Sequence, residues 1–159
     1  ALTWMVIERL AGHKGSALGF CSGVIAGLVA VTPAAGNSGP FGAILLGIIS
    51  SVICYFFVAK VKAKFGYDDS LDAFGIHGVG GIVGAIGTGV VYQPFLGGPG
   101  DGSVALAEQL WVQIFSVLVT IGWATAGTLI AGFAVKATIG LRVHEEDEVN
   151  GLDISEHGE

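Results

Sequence analysis

Long apolar segments, separated by short polar ones, make up most of this chain. Four of them approach the roughly 20 residues that a membrane-spanning helix needs, and residues 1–10 have the character of the end of one more, truncated transmembrane helix. Many positions are Gly or β-branched, which disfavours a helix in water, but in lipid the backbone must satisfy its own hydrogen bonds and the helix is favoured. The pattern predicts that residues 11–140 contain four transmembrane helices, at about 17–35, 41–59, 73–91 and 110–135.

The composition supports a membrane-embedded, all-α protein. Of the 159 residues, 52% are hydrophobic and only 13% are charged, and the mean hydropathy is +0.74. Soluble domains average about 25% charged residues, and disordered chains combine low hydrophobicity with high net charge. A soluble domain and a disordered chain are therefore both excluded.

The charges indicate how the helices are oriented. The whole net charge of −6 lies in the tail, 141–159, because residues 1–140 hold six acidic and six basic side chains. All seven Lys and Arg residues fall before the first span, between the second and third, or after the fourth. The positive-inside rule then predicts a multi-pass protein of the cell membrane with an acidic, cytoplasmic C-terminus. No basic patch for nucleic acid is present.

Small residues recur at intervals of four in the predicted spans. Gly19, Gly23 and Gly27 lie on one face of the first, and Gly80 and Gly84 repeat the spacing in the third. Such spacing lets helix backbones approach closely in a membrane. We therefore expect a tightly packed bundle.

His77 is the only ionisable residue in the span 73–91. Ionisable groups inside membranes are costly and by default mark a pathway or a proton relay. Gly80, Gly81 and Gly84 follow three, four and seven positions later, which predicts a face without bulk. Either another helix packs there or a narrow passage runs past it, and we expect the imidazole to be neutral. The alternative is a histidine that only bonds to one neighbouring helix.

Three aspartates, Asp68, Asp69 and Asp72, precede the third span. They could attract a cation, or they could cap the helix and stabilise its dipole. Capping is the favoured reading for Asp68 and Asp69, while Asp72 stays open between the two.

The chain shows no signature of a metal site or an enzyme. Cys21 and Cys54 both lie in apolar runs and are interpreted as small buried hydrophobic residues. An intramembrane enzyme would need a second acid, base or metal ligand in a span. We expect no cofactor and no enzymatic activity.

Four blocks of sequence resemble the ammonium transporter family (Amt/Mep/Rh), and its Amt branch in particular. They are DDSLDAFGIHGVGGIVG at 68–84, AGLVAVTPAAG at 26–36, GLRV at 140–143 and GLDISEHGE at 151–159. The resemblance implies an eleven-helix fold of two inverted repeats and a last long helix, assembled as a homotrimer in the lipid bilayer. The chain would be the C-terminal part, namely the second inverted repeat plus the last long helix. The missing N-terminal half of the same transporter would supply a second pore histidine.

The resemblance also implies a function and its residues. His77 would be a pore histidine in transport of ammonium and ammonia, where ammonium loses a proton that the histidine pair relays. The residues implied along the path are Ser22, Ile25, Thr32, Ala73 and Phe74, with Asp72 in the cytoplasmic vestibule. The alternatives are an ammonium sensor coupled to a cytosolic signalling partner and a purely structural or regulatory fragment.

The acidic tail is the candidate regulatory segment. In the family, the cytosolic surface meets a PII-type signalling protein or couples neighbouring subunits. The tail residues implied are Glu145, Glu146, Asp147, Glu148 and Ser155. The simpler reading is a solvated acidic end.

Overall fold

The computed structural model describes residues 1–158, so Glu159, the last residue of the GLDISEHGE block, lies outside the described part. Residues Ala1–Val117 form one compact unit, and the chain from Leu118 onward forms a second. The helices are α1 (Leu2–Leu10), α2 (Ala17–Val31), α3 (Pro40–Phe56), α4 (Lys62–Phe65), α5 (Val79–Val91), α6 (Leu106–Thr138) and α7 (Glu145–Asn150). Two π-helical turns, Phe57–Val61 and Phe74–Gly78, connect α3 to α4 and lead into α5. A 3₁₀ turn (Pro94–Leu96) and a π-helical turn (Asp153–His157) complete the helical elements.

Among the described residues, three helical stretches are long and apolar enough to cross a membrane: Pro40–Phe65, Phe74–Val91 and Leu106–Thr138. The first predicted span, 17–35, is shorter than expected, because α2 ends at Val31 after 15 residues. Pro33 has no backbone N–H, so the hydrogen bond that would reach back to the Val29 carbonyl is missing and the helix stops. The chain turns instead, and the Ala34 N–H donates to the Val31 carbonyl at 3.0 Å.

A carboxylate ties α1 to the start of α2. The Glu8 carboxylate accepts hydrogen bonds from the backbone N–H and the hydroxyl of Ser16, both at 3.0 Å. The Ser16 hydroxyl in turn accepts the Gly19 N–H at 2.8 Å, which caps α2. A Cβ on Gly19 would lie 2.6 Å from the Glu8 carboxyl carbon. Gly19, the first glycine of the spaced series, therefore leaves space for the Glu8 side chain.

Glycines allow close packing among α2, α3 and α5. A Cβ on Gly84 would lie 2.8 Å from the Ala30 Cα, and one on Gly42 would lie 2.9 Å from the Val91 Cβ. The contacts pair the start of α3 with the end of α5, and Ala30 late in α2 with Gly84 midway along α5. Helix α3 is thus antiparallel to α5, and α2 is parallel to it. The prediction of a tightly packed bundle is confirmed for these helices.

The buried side chains form two small clusters in the unit Ala1–Val117. One combines Trp4, Ala26, Cys54, Ile76 and Val79, and the other combines Ala34, Leu46 and Val91. The first cluster includes Ile76, the residue directly before His77.

Helix α6 differs from the other long helices. At 33 residues it is about 50 Å long at ~1.5 Å per residue. None of its residues is buried within the described chain. Near its start, the Cγ atoms of Gln109 and Gln113 lie 3.4 Å and 3.3 Å from where a Cβ on Gly89 would be.

Candidate functional site

His77 lies in a π-helical turn that opens the helical stretch Phe74–Val91. The Val79 N–H donates to the Phe74 carbonyl, five residues back, as well as to that of Ile76. Such turns are rare inside helices and occur frequently at functional sites. The neighbours Gly75 and Ile76 are buried, whereas the His77 side chain is exposed in this chain.

The side of α5 that follows His77 is open at one glycine and packed at two. Apart from adjacent residues and the backbone of its own helix, no atom of the described chain lies within 4 Å of a Cβ built on Gly81. A Cβ on Gly80 would lie 3.3 Å from Val29 Cγ1 and 3.4 Å from Cys54 Sγ, and Gly84 packs on Ala30. Of the two expectations for this face, another helix packs against it at Gly80 and Gly84. Only Gly81 leaves that side without bulk.

Ile25 and Ser22 lie on the flank of α2 that faces α5. Val29 contacts Gly80, and Ile25 and Ser22 precede Val29 by four and seven residues, which keeps them on the same side of the helix. Because α2 and α5 are parallel, His77, three residues before Gly80, lies at about the height of Ile25. Ser22 is half-buried and Ile25 is 38% exposed. Ile25 thus lies at about the level of His77, and Ser22 lies about one helical turn before it.

Thr32 and the pair Ala73 and Phe74 lie in different places relative to His77. Thr32 is at the far end of α2, where its hydroxyl donates to the Leu28 carbonyl at 2.7 Å. Ala73 and Phe74 directly precede His77 and are exposed. The Phe74 ring packs edge-on against Tyr67, with 5.8 Å between ring centroids. It also covers Gly78, where a Cβ would lie 2.9 Å from the Phe74 Cδ2.

Asp69 caps the helical stretch that carries His77. Its carboxylate accepts the backbone N–H groups of Phe74 and Gly75, both at 3.1 Å. Burial alone would raise the pKa of Asp69, but these backbone N–H groups and the nearby Lys62 outweigh it and hold the pKa below its usual value. The capping role expected for Asp69 is confirmed. No contact supports the same role for Asp68, which is exposed.

Asp72 forms an ion pair that the sequence did not reveal. The Lys62 ammonium lies 2.6 Å from the Asp72 carboxylate and also donates to the Asp69 carbonyl at 2.7 Å. Asp72 has a φ of 55°, in the left-handed region that non-Gly residues seldom adopt. Lys62, at the start of α4, therefore holds the turn that leads into the helical stretch Phe74–Val91.

The tail residues form local contacts. Arg142 donates two hydrogen bonds of 2.6 Å to the Glu148 carboxylate, and this pairing lowers the pKa of Glu148. The Ser155 hydroxyl donates to the Gly151 carbonyl at 3.1 Å. Glu145, Glu146 and Asp147 lie in the first turn of α7, where acids stabilise the helix dipole.

The cysteines have different environments. Cys54 is fully buried as predicted, whereas Cys21 is exposed in this chain, so the prediction is wrong for Cys21. Over residues 1–158, no group of three or more His, Cys, Asp or Glu side chains is arranged to hold a metal ion.

Cys54 contacts the turn that carries His77, Ser50 contacts Cys54, and sequence reasoning missed both. The Ser50 hydroxyl donates to the Ala26 carbonyl at 3.0 Å, and the Cys54 thiol donates to the Ile76 carbonyl at 3.8 Å. Two polar side chains four residues apart in an apolar span were the available signal.

Membrane-length helices and an exposed histidine on one of them define a multi-pass membrane protein. The chain belongs to the ammonium transporter family, because the model of the Ammonium Transporter Family matches residues 1–159. The family is one of transporters. The predicted family and all-α membrane fold are thereby confirmed.

Similar proteins agree with the family. An ammonium transporter of Aquifex aeolicus is 50% identical over the whole chain, which covers 37% of that relative. One of Bacillus subtilis is 41% identical over 98% of the chain, which covers 39% of it. The chain thus spans little more than a third of the length of these relatives. The matches do not support the expectation that the chain is the C-terminal part.

Solved structures share the fold. The crystal structure of Saccharomyces cerevisiae Mep2 matches 91% of this chain with a TM-score of 0.78 and 32% identity, over 34% of that structure. A structure described as a sensor Amt protein has a TM-score of 0.84 over 98% of this chain and 38% of its own. Its identity is 24%, so it supports the fold alone.

Proposed function

We propose that the complete protein moves ammonium across the cell membrane by conducting ammonia past His77. The observation that carries the proposal is an imidazole exposed on the open side of a membrane-length helix, beside the bare backbone of Gly81. In a family of ammonium transporters, that histidine is the group best suited to handle a proton.

The mechanism follows from the cost of burying charge. Moving a bare cation into a low-dielectric passage is expensive, whereas ammonia is small and uncharged. Ammonium therefore gives up one proton and becomes ammonia, and an unprotonated imidazole nitrogen accepts and passes on that proton. A second histidine, contributed by the rest of the transporter, completes the relay. Potassium has no proton to release and is excluded.

Neighbouring residues would line the passage. Ile25 would face it at the level of His77 and Ser22 about one helical turn before, with Ala73 and Phe74 on the cytoplasmic side and Thr32 further toward the other end. Asp72, paired with Lys62, would form part of the cytoplasmic vestibule. The carboxylate is largely neutralised there, so it would shape the vestibule more than attract cations.

The assembly and its partners are part of the same proposal. The transporter would be a homotrimer. Its C-terminus would lie in the cytoplasm, which the distribution of Lys and Arg supports. The tail, with its run Glu145 to Glu148 and the hydroxyl of Ser155, would be the surface for a PII-type signalling protein. The alternative is a sensor in which ammonium occupancy signals to a cytosolic partner, and transport is incidental.

Replacing His77 tests the proposal. His77→Ala in the complete protein, reconstituted in liposomes, should reduce ammonium uptake at least tenfold or abolish its selectivity over potassium. His13→Ala, outside the predicted spans, is the matched control and should behave as the native protein. Unchanged uptake and selectivity in His77→Ala would refute the relay. A sensor would keep its signalling response to ammonium in a variant that no longer transports.

A further inference from the structure

The turn that carries His77 is held from behind by polar side chains of α3. Cys54 is 0% exposed, and its thiol donates to the carbonyl of Ile76, the residue directly before His77, at 3.8 Å. Ser50, one helical turn earlier, lies 3.6 Å from the same sulfur and donates to the Ala26 carbonyl of α2 at 3.0 Å. Two side chains thus connect three helices at the height of the imidazole.

The packing around this network leaves little freedom on the buried side. A Cβ on Gly75 would lie 2.7 Å from Val58 Cγ2, in the other π-helical turn, and one on Gly80 would lie 3.4 Å from the Cys54 sulfur. The exposed His77 side chain therefore points away from contacts that determine where its backbone lies.

The Ile76 carbonyl accepts hydrogen bonds from two donors, one in its own helix and one in α3. In a π-helical turn, hydrogen bonds reach back five residues instead of four, so the ladder is irregular. Here the Val79 N–H is shared between the carbonyls of Phe74 and Ile76. The thiol is a second donor to the Ile76 carbonyl, from outside the helix.

We propose that Cys54, supported by Ser50, is a positioning residue that sets the direction of the His77 imidazole. The inference rests on the proposed function of His77 and deepens it. Cys54 does not touch the substrate; it acts through the Ile76 carbonyl and the π-helical turn. A displacement of about 1 Å at a reacting group can cost about a hundredfold in rate, so a weak thiol bond can have a measurable effect on proton transfer.

Substitutions that keep or remove the donor separate this role from packing. Cys54→Ser keeps a donor, while Cys54→Ala and Cys54→Val remove it, and the valine also keeps the space filled. In the complete protein, we expect Cys54→Ala and Cys54→Val to reduce the ammonium rate per folded molecule roughly tenfold and to lower selectivity over potassium. Cys54→Ser should stay within about twofold of the native protein. The exposed Cys21, changed to Ala and to Ser, is the matched control and should show neither effect.

A second measurement reads the imidazole without transport. Diethyl pyrocarbonate modifies histidines, and mass spectrometry gives the rate at each of the four histidines in the chain. Loss of the donor at Cys54 should change the rate at His77 by severalfold and leave His144 and His157 unchanged. Cys54→Ser should restore the native rate.

The outcomes distinguish the two proposals. If His77→Ala abolishes transport but the Cys54 variants keep native rates, selectivity and modification, the positioning role is refuted and the relay stands. If His77→Ala transports normally, the relay is refuted, and the modification rates still decide whether Cys54 directs the imidazole. Equal effects of Cys54→Ser and Cys54→Ala would show that Cys54 contributes only packing, and this result would also overturn the proposal.

Discussion

Two glycines in the helical stretch Phe74–Val91 have contrasting surroundings. Gly84 lies so close to the α2 backbone that a Cβ would be 2.8 Å from the Ala30 Cα. Gly81 has open space where a Cβ would be, and His77 is exposed one turn earlier. Two glycines three residues apart therefore serve different purposes. One allows helices to pack, and the other leaves a surface without bulk next to an imidazole.

The comparison shows that glycine spacing indicates a close helix contact but does not tell which glycines make it. Small residues at intervals of four favour helix packing in membranes, and this holds for Gly80 and Gly84. It does not hold for Gly81, which the same run of sequence contains. The distinction becomes visible only when the partner helix is in place.

The largest expected effect comes from adding a methyl group at the packed glycine. Gly84→Ala places a Cβ against the Ala30 backbone, which cannot move aside as a flexible side chain would. Overpacking of this kind typically costs about 1–3 kcal/mol. Thermal unfolding of the purified protein in detergent should show a clear loss of stability.

Gly81→Ala is the matched control for that measurement. It adds the same methyl group where the described chain leaves space, and Ala is favoured over Gly in a helix interior by roughly 0.5–1 kcal/mol. We expect unchanged or slightly increased stability. Equal destabilisation by both substitutions would contradict the contrast between Gly84 and Gly81.

A smaller effect is expected where the stretch begins. Asp69→Asn leaves one oxygen where two accept the N–H groups of Phe74 and Gly75, and a lost hydrogen bond costs about 1 kcal/mol. Asp68→Asn changes the exposed neighbour and should have no measurable effect on the unfolding midpoint. A loss of stability in Asp68→Asn as large as that in Asp69→Asn would argue against a specific cap.

The same carboxylate predicts a pH dependence. Its pKa is lowered in the folded state from the ordinary value of 3.8, so folding favours the ionised form. Its stabilising contribution is complete above pH 3.8 and is lost as the pH falls through the lower folded-state pKa. The native protein should lose stability in that acidic range, and Asp69→Asn should lose less. Parallel pH curves for the two proteins would refute the assignment.

The smallest effect is expected in the tail. Glu148→Gln removes the charge that pairs with Arg142, but both side chains lie near solvent, where ion pairs contribute little. The unfolding midpoint should not change, whereas proteolysis within 141–158 should become faster. A lower midpoint would show that the tail contributes to the stability of the helices.

The sequence was sufficient for the helices but not for their irregularities. Apolar length predicted a helix at each proposed span, and Asp69 could be recognised as a cap from its place before one. The π-helical turns depend on contacts between chain segments that are distant in sequence, such as Val58 with Gly75, and no local pattern contains that information. The ion pair between Lys62 and Asp72 was missed for the same reason, since ten residues and a loop separate the two.

The π-helical turn at Phe74–Gly78 also affects how this stretch can tolerate change. The extra residue in a π-helical turn rotates the residues before the turn by about 100° relative to the helix that follows. Deleting one residue there would yield a regular α-helix. It would also place a different side chain in the direction that the imidazole now occupies. Substitutions should therefore be accepted in this segment more readily than any change in its length.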